Sequence, residues 1–215
     1  MKRSIRLLAV ILTLAALCSA LSGCETTAQK MEALSGTWRM IEQDTTEQAT
    51  ALLEAIDLYE QEMALADVNS LKYAWIYEFD AEGNFRQADD IAMTKQLVRE
   101  FYEGLIDSFY ENRADLSDLY EVDMSVMTKE ELQQFYADLY GYETYEALMD
   151  RFVNAAYKYD TWTDYRNGTY TIKDGKLDIV DMADGYETYL IAYKLDGDTL
   201  TLTYKDGVEV YTRVK

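Results

Sequence analysis

Residues 169–214 read TYTIKDGKLDIVDMADGYETYLIAYKLDGDTLTLTYKDGVEVYTRV, and four Asp-Gly pairs punctuate them at Asp174-Gly175, Asp184-Gly185, Asp196-Gly197 and Asp206-Gly207. Asp-Gly marks tight hairpins, because such turns need positive φ. Between the pairs lie runs rich in Thr, Tyr, Val, Ile and Leu, over 169–173, 176–181, 186–195, 199–204 and 208–214. In the fourth run Leu200, Leu202 and Tyr204 share one face, and Thr199, Thr201 and Thr203 the other. That alternation predicts a sheet with one buried and one wet face. The carboxyl third is therefore a regular antiparallel meander of five strands.

Working upstream, residues 73–79 place Trp75, Tyr77 and Phe79 on one face at period two. The turn 80–84 leads to a short strand around Phe85, and residues 34–40 form a first strand. Three early strands and five late ones make eight. Eight antiparallel strands can close into a small barrel, which removes exposed edges. The alternative is an open sheet with helices packed across it. Either way the class is α+β, and we favour an antiparallel eight-stranded β-barrel with inserted helices.

The insertions fall at about 45–68 and 90–159. In the first, Leu52, Ile56, Tyr59 and Met63 recur every three or four residues. In the second, Leu97, Phe101, Leu105 and Phe109 form one stripe. Thr128 and Glu131 form a capping box that starts a helix, and Gly141 ends it. A last helix runs from about 144 to 157.

Composition narrows the chemistry. The chain has 215 residues, with 40 Asp and Glu against 20 Lys and Arg, for a formal charge of −20. That balance excludes nucleic acid as the expected partner, since phosphate binding needs a basic face. There is no His, which removes His-based triads and imidazole metal sites. No cofactor is expected. Close carboxylates at Asp89-Asp90, Glu130-Glu131, Asp196 with Asp198 and Asp80 with Glu82 lack the EF-hand spacing, and suit turns and helix starts better. A hydrolase built on two acids across a groove remains a distant third reading. There is no G-x-S-x-G elbow and no Gly-rich phosphate loop.

The amino terminus is an address. Lys2, Arg3 and Arg6 precede an apolar run over 7–17, and small residues follow. The run is shorter than the ~20 residues of a spanning helix. Leu21-Ser22-Gly23-Cys24 resembles the lipobox of bacterial lipoproteins. The resemblance implies a diacylglyceryl group on the Cys24 sulfur, cleavage before Cys24 and a second acylation of the new terminus. Residues 1–23 are then a signal peptide, 24–33 a polar tether and 34–215 the folded domain. Cleavage removes Cys18 and three cations, leaving 17 cations against 40 carboxylates, a formal charge of −23.

The domain resembles the lipocalin-like, or calycin, domains of bacterial lipoproteins. Gly36-Thr37-Trp38 matches the G-x-W of the first lipocalin strand, and Val210-Tyr211-Thr212-Arg213 resembles the closing strand. The resemblance implies that Trp38 plugs one end of the barrel and that Arg213 lies over it in a cation–π contact. A helix-inserted, zinc-binding periplasmic family has a similar outline but relies on His ligands, so zinc is not expected here.

The expected function is a non-enzymatic, lipid-anchored binding module of the bacterial cell envelope, facing outside the cytoplasm. A small apolar or aromatic ligand would sit within the barrel or between barrel and insertion, against Trp75, Tyr77, Phe79, Trp162, Tyr170 and Tyr189. The same rings could simply fill a closed core. The alternative is a structural or interaction lipoprotein docking an envelope partner through its Tyr-rich insertion, although those tyrosines also suit ordinary amphipathic packing.

Overall fold

The computed structural model describes residues 26–159, 166–182 and 187–215. The signal and lipobox residues, Trp162 and the Asp184-Gly185 turn lie outside the described residues. Eight antiparallel strands form a closed barrel in chain order: β1 (Gly36–Gln43), β2 (Lys72–Phe79), β3 (Asn84–Asp89), β4 (Arg166–Lys173), β5 (Lys176–Asp181), β6 (Glu187–Asp196), β7 (Thr199–Thr203) and β8 (Val208–Arg213). β8 closes on β1 with Trp38 opposite Arg213 and Arg39 opposite Thr212. The closure removes the open-sheet alternative and matches a lipocalin-like architecture.

Period-two patterning fixes which face is inside. Tyr77 and Phe79 of β2, Leu177 and Ile179 of β5, Leu200 and Leu202 of β7 and Tyr211 of β8 all point into one buried cluster. The Asp174-Gly175 turn has φ of +51° and +72°, the two left-handed residues a two-residue hairpin requires. The Asp206-Gly207 pair behaves differently. It ends a four-residue loop, 204–207, in which the Tyr204 N–H donates to the Gly207 carbonyl at 2.9 Å. The wider loop lets Tyr204 keep its ring against the barrel core.

One end of the barrel is a floor. Within the stretch expected to be a tether, Thr27–Leu34 form helix α1. Thr26 and Gln29 build a capping box: the Gln29 N–H donates to Thr26 Oγ1 (3.2 Å), and the Thr26 N–H donates to Gln29 Oε1 (2.9 Å). Leu34 is fully buried and Met31 packs against the barrel core. The Trp38 indole N–H donates to the Leu34 carbonyl at 2.7 Å. The Arg213 guanidinium lies 4.0 Å from the Trp38 ring centre and donates to the carbonyls of Ser35 and Ala33, at 2.7 Å each. A cation thus meets the carbonyl end of α1, where the helix dipole favours it.

The opposite end is the mouth, and both insertions root there. Between β1 and β2 lie α2 (Thr46–Glu54) and α3 (Glu60–Met63). The single helix expected over 45–68 is broken at Asp57, whose φ is +55°. Between β3 and β4 lie α4 (Ile91–Glu111), α5 (Arg113–Tyr120), a 3₁₀ turn at Met124–Val126, α6 (Lys129–Leu139) and α7 (Tyr145–Tyr159). The Thr128–Glu131 capping box starts α6. These helices enclose their own core around Leu53, Phe101, Tyr102, Leu132, Tyr136 and Met149, which shares no buried residue with the barrel core. Asp90 joins the two bodies: one carboxylate oxygen caps α4 by accepting from the Met93 N–H (3.1 Å), and the other accepts from Arg39 Nε of β1 (2.6 Å).

Candidate functional site

The expected ligand-facing residues divide by height along the barrel. Near the floor, Tyr170 and Phe79 meet edge to face with ring centres 5.1 Å apart, and the Tyr170 hydroxyl donates to the Asp80 carbonyl at 2.6 Å. At mid-height Tyr77 stacks on Phe79 at 5.3 Å and meets Tyr211 edge to face at 5.4 Å. Tyr77, Phe79 and Tyr170 are buried and belong to the filled core. Their interlocked rings fill the inside of the barrel at these heights.

Trp75 and Tyr189 stand at the mouth. Trp75 continues the inward face of β2 beyond Tyr77 but is only half-buried, edge to face with Tyr73 at 5.5 Å. The Tyr73 hydroxyl donates to the Glu42 carboxylate at 2.7 Å, and burial followed by that bond pushes its pKa up to about 12. On β6 Tyr189 keeps the parity of buried Ile191, remains half-exposed and donates to the Glu187 carboxylate.

Between these rims, polar groups floor the mouth. Tyr211 donates to Glu209 at 2.9 Å. Tyr204 is hydrogen-bonded to Tyr77, and burial holds both phenols protonated, Tyr77 up to about 12 and Tyr204 higher. Arg166 Nε lies 3.7 Å from the buried Asp181 carboxylate. The mouth therefore offers ring edges, phenol hydroxyls and carboxylates above an apolar plug. Sequence reasoning missed Tyr73, Tyr204 and Glu209 as rim groups. Tyr204 was within reach, since it shares a face with Leu200 and Leu202.

Two other concavities are weaker. Between the barrel rim and the insertion, Leu52, Leu71, Tyr73, Thr94 and Val98 line a cavity of about 30 Å³. That volume holds one or two waters, against several hundred Å³ for an organic ligand. On the insertion, Ile56, Asp57, Tyr140, Tyr142, Arg151 and Phe152 border an open groove of about 200 Å³. Most insertion tyrosines pack inward: Tyr102 and Tyr136 are buried, and Tyr110, Tyr120, Tyr140, Tyr142 and Tyr145 lie against the helical core.

One member of each carboxylate pair is held by a structural partner, Asp90 among them through the Met93 N–H. Glu131 accepts from the Thr128 N–H. Asn84 bonds Asp80 through its backbone N–H (2.7 Å) and its side-chain amide (2.6 Å), and that side-chain bond is the first cause holding Asp80 below its usual range. Asp198 pairs with Lys215 at 2.7 Å and is likewise lowered. No protein-family model, curated protein sequence or solved structure matches the chain.

Proposed function

We propose that this is a non-enzymatic lipoprotein of the bacterial cell envelope, anchored through acyl chains on Cys24 and holding a small aromatic or apolar molecule at the barrel mouth. The anchoring half rests on the basic start, the apolar run and Leu21-Ser22-Gly23-Cys24. Two or three acyl chains give lasting attachment, at about 0.8 kcal/mol per buried methylene. Labelling with a clickable palmitate, retained by the native chain and lost in Cys24→Ala, tests that half.

Trp75 carries the binding half. It is the one expected ligand-facing tryptophan within the described residues, and it is left half-exposed where the filled core ends. A flat ligand laid on Trp75, with a polar group toward Tyr204 and Glu209, would cover ring surface the protein leaves wet. Soluble protein beginning after Cys24 is expected to rise in melting temperature with an aromatic ligand, as ligand linkage requires. Trp75→Ala should abolish the rise. If no member of a broad aromatic library shifts the wild type, the binding half fails.

The groove beside Tyr142 and Arg151 supports a second reading, in which the insertion docks an envelope protein. An envelope partner captured by the native chain, retained by Trp75→Ala and lost in a Tyr142→Ala, Arg151→Ala double variant would favour it.

A further inference from the structure

We infer that the floor of the barrel rests directly on an anionic lipid leaflet, with the mouth and the helical insertion turned away. This rests on the proposed lipid at Cys24. A ten-residue tether would span roughly 35 Å when extended and leave the domain free to tumble. Here the leash ends at Thr26, the first residue of the α1 capping box. Two peptide links separate Thr26 from Cys24, a reach of about 7 Å. Helix α1 gives no further slack. Leu34 is buried, and its carbonyl and those of Ala33 and Ser35 are held by Trp38 and Arg213. Acyl chains at Cys24 would therefore draw α1 and the neighbouring turns to the headgroups.

The distribution of charge agrees. The floor consists of α1 with residues 80–83, 173–176, 194–198 and 213–215. It carries six cations and six carboxylates. The rest of the chain after Gly23 carries 11 cations and 34 carboxylates. The floor is thus the balanced end of a strongly acidic protein. Against an anionic surface it meets no net repulsion, whereas turning the mouth and its insertions to the leaflet brings most of the acidic excess close. The mouth stands about a strand length away, ~25 Å for eight residues, which exceeds the ~8 Å screening length. The field of the leaflet and the short leash select the same orientation, and the mouth faces the solution from which a ligand arrives.

After cleavage and acylation no native thiol remains free, so one introduced Cys can carry a fluorophore. The full chain, lipidated in a bacterial host, is placed in phosphatidylglycerol-containing vesicles with a headgroup-bound quencher. A label at Lys176→Cys on the floor is expected to be quenched several-fold more than one at Asp206→Cys beside the mouth. Inserting about twenty Gly/Ser residues between Glu25 and Thr26, ~25 Å of flexible chain, should erase the difference. Equal quenching at both sites in the native-length chain, as from a barrel lying on its side, overturns the orientation while the anchor stands. Absence of diacylglyceryl mass on Cys24 overturns both.

Discussion

Gly36 vacates the space that Arg213 fills: a Cβ at position 36 would stand 2.8 Å from Arg213 Nη1, and Gly36 itself has φ of +125°. The G-x-W motif is therefore a fitting for an arginine 177 positions later, as much as for the tryptophan beside it. Arg213→Ala is expected to lower unfolding stability by about 2–4 kcal/mol, from two charge-assisted hydrogen bonds and one cation–π contact. Arg213→Lys should recover less than half, because an ammonium cannot reproduce the planar fork. Denaturant midpoints decide it, and a Lys variant as stable as the wild type would contradict the account.

Gly168 makes a second prediction, for a different reason. A Cβ there would fall 1.9 Å from the Val180 carbonyl oxygen and 2.9 Å from the Phe85 ring. Gly168 lies in β4 opposite Asp181 and Phe85, so neighbouring strands crowd it on both sides. Gly168→Ala is expected to cost about 1–3 kcal/mol, the usual range for overpacking. Gly175, with open space around it but φ of +72°, should lose less on the same change. Thermal unfolding of the two variants orders them, and the reverse order would refute the argument.

The sequence carried the barrel strongly because its signals are local and redundant. Trp75, Tyr77 and Phe79 alternate, Leu200, Leu202 and Tyr204 alternate, and Asp174-Gly175 turns as its residue types demand. Helix α1 escaped notice although Thr26-x-x-Gln29 is a capping box with Met31 and Leu34 behind it. A short polar stretch beside a lipobox reads as linker until its docking surface is visible. The break at Asp57 was hidden for another reason: the apolar spacing of Leu52, Ile56, Tyr59 and Met63 continues through it. At the site, strand parity located Trp75 but could not separate it from Tyr77. Only the height at which the core fills makes one of them plug and the other rim. The Arg166–Asp181 pairing depends on register across β4 and β5, which no local pattern encodes.

Glu62 is 1% exposed, and no cation is paired with it in the described structure. Its carboxylate accepts from Tyr120 (2.5 Å), Tyr136 (2.7 Å) and the Tyr59 N–H (3.0 Å), knotting α3 to α5 and α6. Glu62→Ala strands two phenol hydroxyls in the helical core and should cost about 2–5 kcal/mol. The Tyr120→Phe, Tyr136→Phe pair in the Glu62→Leu background should regain part of that loss, since an apolar replacement strands nothing. Failure of the triple variant to exceed Glu62→Ala in stability would show that the knot is not what holds these helices.

Alkaline pH should unfold the protein through its tyrosines. Burial is the first cause raising Tyr73, Tyr77 and Tyr170 from 10.0 to about 12, and Tyr102, Tyr136, Tyr204 and Tyr211 go higher still. Between about pH 10 and 12 the unfolded chain has released protons that the folded chain retains. Stability is therefore complete below about pH 10 and falls as pH rises through 12. Phenolate absorbance of the folded protein should lag that of the urea-unfolded chain across this window. Superimposed titration curves would rule the burial argument out.

The last strand of the ring to be synthesised is also the one that seals the first. Until residues 208–213 exist, β1 has an unpaired edge, Trp38 lacks its guanidinium cover and the carbonyls of Ala33 and Ser35 lack their donor. An incomplete or clipped copy is consequently adhesive and conspicuous, with a bare strand that invites stray pairing or proteolysis. Closure of the ring thus hides the β1 edge only once all eight strands are present.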